Sequence, residues 1–344
     1  MRSLLVTGGA GFIGSEFVRQ TIAAGDVKVT VLDALTYAGD RANLAGCESS
    51  EHFYFVEGHI GEQSLVSQLL VDHQVDAVLN LAAETHVDRS IARPQNFVRS
   101  NVMATCQLLD GVLAYWQSLS DRERDTFRFV QVSTDEVYGQ LGQTGLFTES
   151  SPYAPRSPYA ASKGAADHFV RAYHHTYGLP TIVTASSNNY GPCQFPEKLI
   201  PLMIVRALRG ESLPVYGTGK NVRDWLHVSD HGRGLRRVLE RGVVGESYHL
   251  GGGVEKTNLE IVHEICQQME RLVPEVTSKR LSDLIEFVDD RPGHDFRYAL
   301  DSTKAHRELD WRPTVDFTTG MAQTVQWYLD NRSWVDAALR RIKA

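Results

Sequence analysis

Tyr159 and Lys163 stand one helical turn apart in the stretch SPYAASKGAADHF. At that spacing two side chains share a helix face with Cβ atoms about 5–6 Å apart, so the ammonium favours the phenolate form of the tyrosine. A phenol held in this way can accept a proton. The same pair also fits a packed tyrosine beside a solvated lysine, and the rest of the chain has to decide between the two.

Thr134, Asp135 and Glu136 close the apolar run FRFVQVS. Adjacent carboxyls can divide acid and base work between them, or they can cap a turn. Near the start of the chain, VTGGAGFIGSEF places Gly8, Gly11 and Gly14 between a strand and a helix, with Phe12 and Ile13 opening that helix. Glycines there allow a tight turn and close backbone approach, and the helix start offers free amides to a pyrophosphate. Asp33 ends the next strand, KVTVLD, about 20 residues further on, where an acidic group meets the ribose hydroxyls of an adenosine. A carboxylate at that place disfavours a 2′-phosphate, so the expected cofactor is NAD.

The elements that must position these groups follow from hydrophobic patterning. SLLVTG, KVTVLD, FYFVEG, DAVLNLAA and FRFVQVST are near-continuous apolar runs separated by helical stretches such as SLVSQLLVDH and NVMATCQLLDGVLAYWQSL. Strand, helix and strand in succession give an α/β fold with a doubly wound parallel sheet of Rossmann type. In such sheets ligands bind beyond the carboxyl ends of the strands, which brings the glycine loop and the Thr134 cluster to one crevice. After about residue 180 the rhythm changes to proline-punctuated segments. Residues 1–180 are expected to form the NAD-binding domain, and residues 181–344 mainly a smaller mixed α/β lobe for the substrate, with some later segments returning to the first sheet.

The chain has 344 residues, 42% hydrophobic and 22% charged, with a formal net charge of −7. That balance fits neither a nucleic-acid binder nor a disordered chain. No apolar run approaches the roughly 20 residues that span a bilayer, and the first residues enter a strand without a secretory signal, so a cytoplasmic protein without membrane contact is expected. Cys47, Cys106, Cys193 and Cys266 are scattered, without metal-ligand or disulfide spacing.

The glycine loop, the strand-end threonine and the Tyr-x-x-x-Lys helix resemble those of the extended short-chain dehydrogenase/reductase superfamily. LDALTYAGD, LAAETHVDRSI, VSTDEVYG, SNNYGPCQFPEKLIPL, RDWLHVSDH and DRPGHDFRYALD are similar, within it, to nucleotide-sugar 4,6-dehydratases, the branch acting on dTDP-glucose above all. The resemblance runs from residue 4 to about residue 315. It implies a lyase in which Tyr159 takes the proton of the sugar 4-hydroxyl, Lys163 lowers the phenol and holds the nicotinamide ribose, and Thr134 bonds the 4-hydroxyl. Glu136 removes the carbon 5 proton and Asp135, protonated, releases the 6-hydroxyl as water.

The resemblance further implies NAD, tightly bound and regenerated each turnover, held by Gly8, Gly11, Phe12, Ile13, Gly14, Asp33, Ala34, Leu35, Thr36, His59, Ile60, Leu81, Ala82, Ala83, Thr85, Ser100, Tyr159, Lys163 and Asn189. For the nucleotide sugar it implies Glu84, Thr85, Thr134, Asn188, Lys198, Leu199, Pro214, Val215, Tyr216, Arg223, Asn258, Arg291 and His294. It implies a homodimer, and no metal. Glu84 also has a reading as an ion-pair partner of Arg89. The chain departs from the pattern at His59, where a carboxylate is customary, at His249, where asparagine is common, and at Ser186 and Cys193. A 4,6-dehydratase of a UDP-sugar, a 4-epimerase and a non-catalytic NAD-binding scaffold are the alternatives, and the acidic pair behind Thr134 separates the dehydratase from the epimerase.

Overall fold

Seven parallel strands make the central sheet of the computed structural model, which describes residues 1–273 and 280–343. β1 (Ser3–Thr7), β2 (Lys28–Asp33), β3 (Phe53–Glu57), β4 (Ala77–Asn80), β5 (Arg128–Thr134) and β6 (Thr181–Ser186) come in the first half; β10 (Ser247–Leu250) joins from the second. The order is β10-β6-β5-β4-β1-β2-β3. β1 pairs β2 on one side and β4 on the other, so the chain reverses its winding direction there and leaves a crevice at the strand ends.

The sheet's two faces are both covered, as its unbroken apolar strands require. Leu4 and Val6 face one layer with Phe17 and Val18 of the helix Phe12–Ala24 and Leu235 and Val238 of the helix Val228–Arg241. Leu5, with Val78 and Phe129, faces the other layer, packing on Leu69 of the helix Gln63–Asp72, Leu108 of the helix Ala104–Ser118 and Val170 of the helix Pro158–Tyr177. The alternation along β1 is the period-two pattern of a strand buried on both sides.

The second lobe has its own core, where Ile200, Met203 and Ile204 of the helix Leu199–Leu208 pack on Val215, Ile261, Met321 and Tyr328. Two small sheets accompany it. β7 (Asn188–Tyr190) and β11 (Glu255–Thr257) flank β9 (Val222–His227), and β8 (Leu213–Tyr216) pairs β12 (Ile285–Val288). The helix Arg332–Lys343 crosses back, with Trp334 Nε1 donating to Asn43 Oδ1 at 2.8 Å. Among the described residues, no helix is long and apolar enough to cross a membrane and no metal-ligand cluster occurs.

Candidate active site

The glycine loop is built by backbone that no side chain would tolerate. Gly8 has φ 68°, and a Cβ there would lie 2.7 Å from the Ala82 amide nitrogen; one on Gly14 would collide with the Gly8 carbonyl. Gly11 caps the helix Phe12–Ala24 without a side-chain bond, so its first amides remain for a ligand. Asp33 accepts from the Ala10 amide at 2.8 Å on one oxygen and the Leu35 amide at 2.9 Å on the other. Burial raises its carboxyl, and those two amides oppose the rise. A dinucleotide fits this cradle, with free amides at the helix start and an anchored carboxylate one strand away.

One cavity joins the glycine loop to the carboxyl ends of β4 and β5. Gly8, Gly11, Phe12, Ile13, Gly14, Asp33, Ala34, Thr36, His59, Ile60, Leu81, Ala82, Ala83, Glu84, Thr85 and Ser100 line it, and so do Thr134, Asp135, Glu136, Tyr159, Lys163, Asn188, Asn189 and Lys198. Leu35, expected at the cofactor, is absent from this lining and packs partly buried on the layer that holds Phe17 and Val31, while its amide donates to Asp33.

Thr134 serves both readings of its strand end. It terminates β5, and its Oγ1 accepts from the Glu136 amide at 3.4 Å to cap the single turn Asp135–Tyr138, while the residue also lines the cavity. Asp135 is 2% exposed and, among the described residues, its buried Oδ2 has no hydrogen-bond partner. Burial, then Glu136 and Asp224, hold its carboxyl well above the usual range. Glu136 is raised by burial too, but Arg291, Arg223 and Lys198 pull the other way. Consecutive carboxyls thus sit in different fields, the condition for opposite proton-transfer roles.

Ser157 caps the helix Pro158–Tyr177 by accepting from the Ala160 amide at 3.1 Å, with Pro158 in the first turn. This fixes Tyr159 and Lys163 on the buried face, 8% and 5% exposed. The Tyr159 amide donates to Ser90 Oγ at 3.1 Å, and Phe97 meets its ring edge-on. Spacing leads to the expectation of a phenol lowered by Lys163. In the structure burial and then Glu136 push the phenol up, opposed by the Thr134 hydroxyl, and Lys163 Nζ donates to the Val132 carbonyl at 2.7 Å.

The remaining substrate candidates stand outside the main cavity, in the second lobe. Arg223 is 5% exposed, donates to the Val222 carbonyl at 2.7 Å and the Asp295 carbonyl at 2.9 Å, and lies over the Tyr298 ring. Arg291 pairs with Asp88 at 3.4 Å, and His294 bonds Asp290 at 2.6 Å with Tyr216 edge-on to its ring. Electrostatics tie these cations to the site: Arg291 and Arg223 are the charges that most favour ionised Glu136. Val215 is buried in the second core, against which Leu199 also packs; Pro214 is half-buried on β8 and Asn258 opens the helix Asn258–Leu272. Lys198 reaches across to donate to the Thr85 carbonyl at 2.8 Å.

Arg89 pairs with Glu197 at 3.8 Å and lies over the Tyr37 ring, so among the described residues its ion-pair partner is Glu197 and not Glu84. Sequence reasoning missed Asn101. Its Oδ1 accepts from the Glu84 amide at 2.8 Å, and its Nδ2 donates to the Glu84 carbonyl and to Ser162 Oγ, both at 2.9 Å. It sits in the π-helical turn Val98–Met103, a distortion common at functional sites but without a sequence signal.

Residues 5–324 match the family described as GDP-mannose 4,6 dehydratase. A dTDP-glucose 4,6-dehydratase of Xanthomonas campestris is 56% identical over 339 residues, 98% of this chain and 96% of that protein. The chain belongs to the dTDP-glucose 4,6-dehydratase family. DesIV, a dTDP-glucose 4,6-dehydratase of Streptomyces venezuelae solved with NAD and TYD bound, superposes with a TM-score of 0.89 at 48% identity, covering 98% of this chain and 99% of that one. The UDP-glucose 4-epimerase of Thermotoga maritima, solved with UDP-glucose, reaches 0.83 at only 27%, covering 96% and 99%. Fold is shared between dehydratase and epimerase, so the activity has to be argued from the site.

Within the family frame the departures have places. His59 is exposed at the cavity rim, its Nδ1 accepting from the Gly61 amide at 3.1 Å. His249 lies outside the cavity, its Nε2 bonded to the Tyr138 hydroxyl at 2.7 Å. Ser186 lines the cavity and accepts from Asn189 Nδ2 at 3.2 Å. Cys193 is buried with φ 65°.

Proposed function

We propose that the chain converts dTDP-glucose to dTDP-4-keto-6-deoxyglucose, with NAD held along the glycine loop and Asp33. When bound, NAD supplies a hydride acceptor at carbon 4, a hydride donor at carbon 6, and positive charge that favours the phenolate of Tyr159. Tyr159 takes the proton of the 4-hydroxyl, which Thr134 orients by hydrogen bonding; Lys163 steadies the phenolate. The 4-ketone acidifies carbon 5. Glu136 removes that proton, Asp135 donates to the 6-hydroxyl, and water leaves. Glu136 afterwards returns a proton to carbon 5.

The observation that carries this reading is the unlike pair Asp135 and Glu136, the first pushed well above the usual carboxyl range by burial and by Glu136, the second raised by burial but facing three cations that oppose the rise. An epimerase, which only oxidises and re-reduces carbon 4, has no use for it. Arg223, Arg291 and Lys198 are the proposed contacts of the nucleotide diphosphate, because guanidinium forks grip phosphate oxygens bidentately. The proposed division gives residues 1–180 to NAD and 181–344 mainly to the nucleotide sugar. We further propose a cytoplasmic homodimer, supported by four free cysteines and by Met103, Phe169 and Tyr177, exposed at the Pro158–Tyr177 helix and the π-turn beside it.

Incubation of the protein with dTDP-glucose and with UDP-glucose, without added reductant, tests the assignment. A 4-keto-6-deoxy product, seen by its alkali-induced ultraviolet absorbance and loss of water, is expected from dTDP-glucose in preference to UDP-glucose. Equal turnover of both sugars would shift the substrate class, and none from either would refute the dehydratase.

A further inference from the structure

The face of the Pro158–Tyr177 helix that carries Tyr159 and Lys163 continues one turn further to Asp167. Asp167 is fully buried, at 0% exposure. Its Oδ2 accepts from Ser133 Oγ and from the Tyr153 hydroxyl, the latter at 3.1 Å, and its buried Oδ1 has no hydrogen-bond partner among the described residues. Ser133 is the residue before Thr134 on β5, so this one carboxylate bridges the strand that ends in the acidic pair and the helix that bears the phenol. One turn beyond, Arg171 donates to the Tyr153 hydroxyl at 3.0 Å and to Ser247 Oγ at 3.1 Å, and completes an alternation of positive, negative and positive charge along the face.

We propose that Asp167 is a positioning residue for the dehydratase, locking Ser133 on β5 to the helix of Tyr159 and serving as the buried counter-charge of the Lys163 ammonium. Lys163 is buried, its Nζ has a neutral carbonyl for a hydrogen-bond partner, and a buried ammonium without a compensating anion gives up its proton. Burial disfavours the charged forms of both groups, and the charge of each favours the charge of the other. The titratable groups facing the pair are Tyr159 and Arg171 on the helix, and Tyr138 and Tyr153 beyond the end of β5, while Asp135 and Glu136 act on Tyr159.

The proposal rests on the dehydratase reading, and its test separates the two. In the full-length protein, Asp167→Asn keeps the size and removes the charge. It lowers kcat roughly tenfold or more with KM within about twofold, and moves the alkaline limb of kcat to lower pH by about one unit, because Lys163 loses its proton sooner. Asp167→Glu restores the limb, and Ser133→Ala lowers kcat without moving it. An unmoved limb in Asp167→Asn would overturn the proposal, since a merely structural residue costs stability and leaves the profile in place.

Thermal melts make the test independent of turnover. Asp167→Asn costs less in Tm when Lys163→Met is already present than in the natural sequence, because the ammonium it served is gone. Equal costs in the two backgrounds would contradict the pairing. If Asp167→Asn alone does not fold, the double variant is expected to fold, and its failure would equally overturn the proposal. If the natural protein turns over no nucleotide sugar, the dehydratase reading falls while the melts still decide the pairing.

Discussion

Asp135 keeps one oxygen buried and, among the described residues, unpartnered, while Glu136, next in the chain, faces Arg291, Arg223 and Lys198. Their backbone positions differ by a single residue in one tight turn, yet burial and neighbouring carboxylates push Asp135 far up, while three cations oppose the rise that burial gives Glu136. The two substitutions therefore have separable effects. Glu136→Gln abolishes solvent exchange at carbon 5 and lowers turnover by about 10²- to 10⁴-fold, the usual worth of a positioned acid or base. Asp135→Asn slows release of water to a comparable extent but leaves exchange at carbon 5 measurable. Deuterium uptake at carbon 5 in each variant checks this.

Arg291 is the charge that most strongly favours ionised Glu136. Without it the Glu136 carboxyl is raised further, so the base is protonated at a higher pH. Activity then fails earlier as pH falls. Arg291→Met is expected to move the acid limb of kcat to higher pH and to raise KM for the nucleotide sugar, whereas an unmoved acid limb would mean that the guanidinium does not act on Glu136.

Gly14 stands where any Cβ would run into the Gly8 carbonyl. Backbone cannot yield there without opening the turn that presents the helix amides. Gly14→Ala is expected to lose NAD on purification and to destabilise the fold by about 1–3 kcal/mol, the usual cost of overpacking a closely packed position. The checks are cofactor released on acid denaturation and a denaturant midpoint.

Asn101 clamps both backbone groups of Glu84 and holds Ser162, tying the loop after β4 to the Pro158–Tyr177 helix. Asn101→Ala leaves the buried Ser162 hydroxyl and the Glu84 backbone short of partners, at a cost of about 1–3 kcal/mol. A chemical-denaturation series should show that loss together with a raised KM.

Much of this site was legible from local spacing. The glycine loop, Asp33, the strand alternation and the Tyr159–Lys163 pair all depend on residues close in sequence, where turn geometry and periodicity act directly. What was not legible depends on contacts across the fold. Arg89 finds Glu197 through the packing of the helix Val87–Ala92 against a segment distant in sequence, and Asn101 acquires its role from a π-turn that no pattern announces. Asp167 reads from sequence as one more polar position on a helix, and only the approach of β5 shows what it holds. The phenol of Tyr159 makes the same point about charge: spacing identifies Lys163 as its neighbour, but burial and Glu136, which the fold supplies, set the direction of its shift.

Turnover of dTDP-glucose in deuterated water, followed by NMR and mass spectrometry, tests the central claim most directly. The account predicts a 4-keto-6-deoxy sugar that has lost one water and carries solvent deuterium at carbon 5, with the carbon 4 hydrogen recovered at carbon 6. A product of unchanged mass inverted at carbon 4, or a 4-ketone that keeps its 6-hydroxyl, would contradict it.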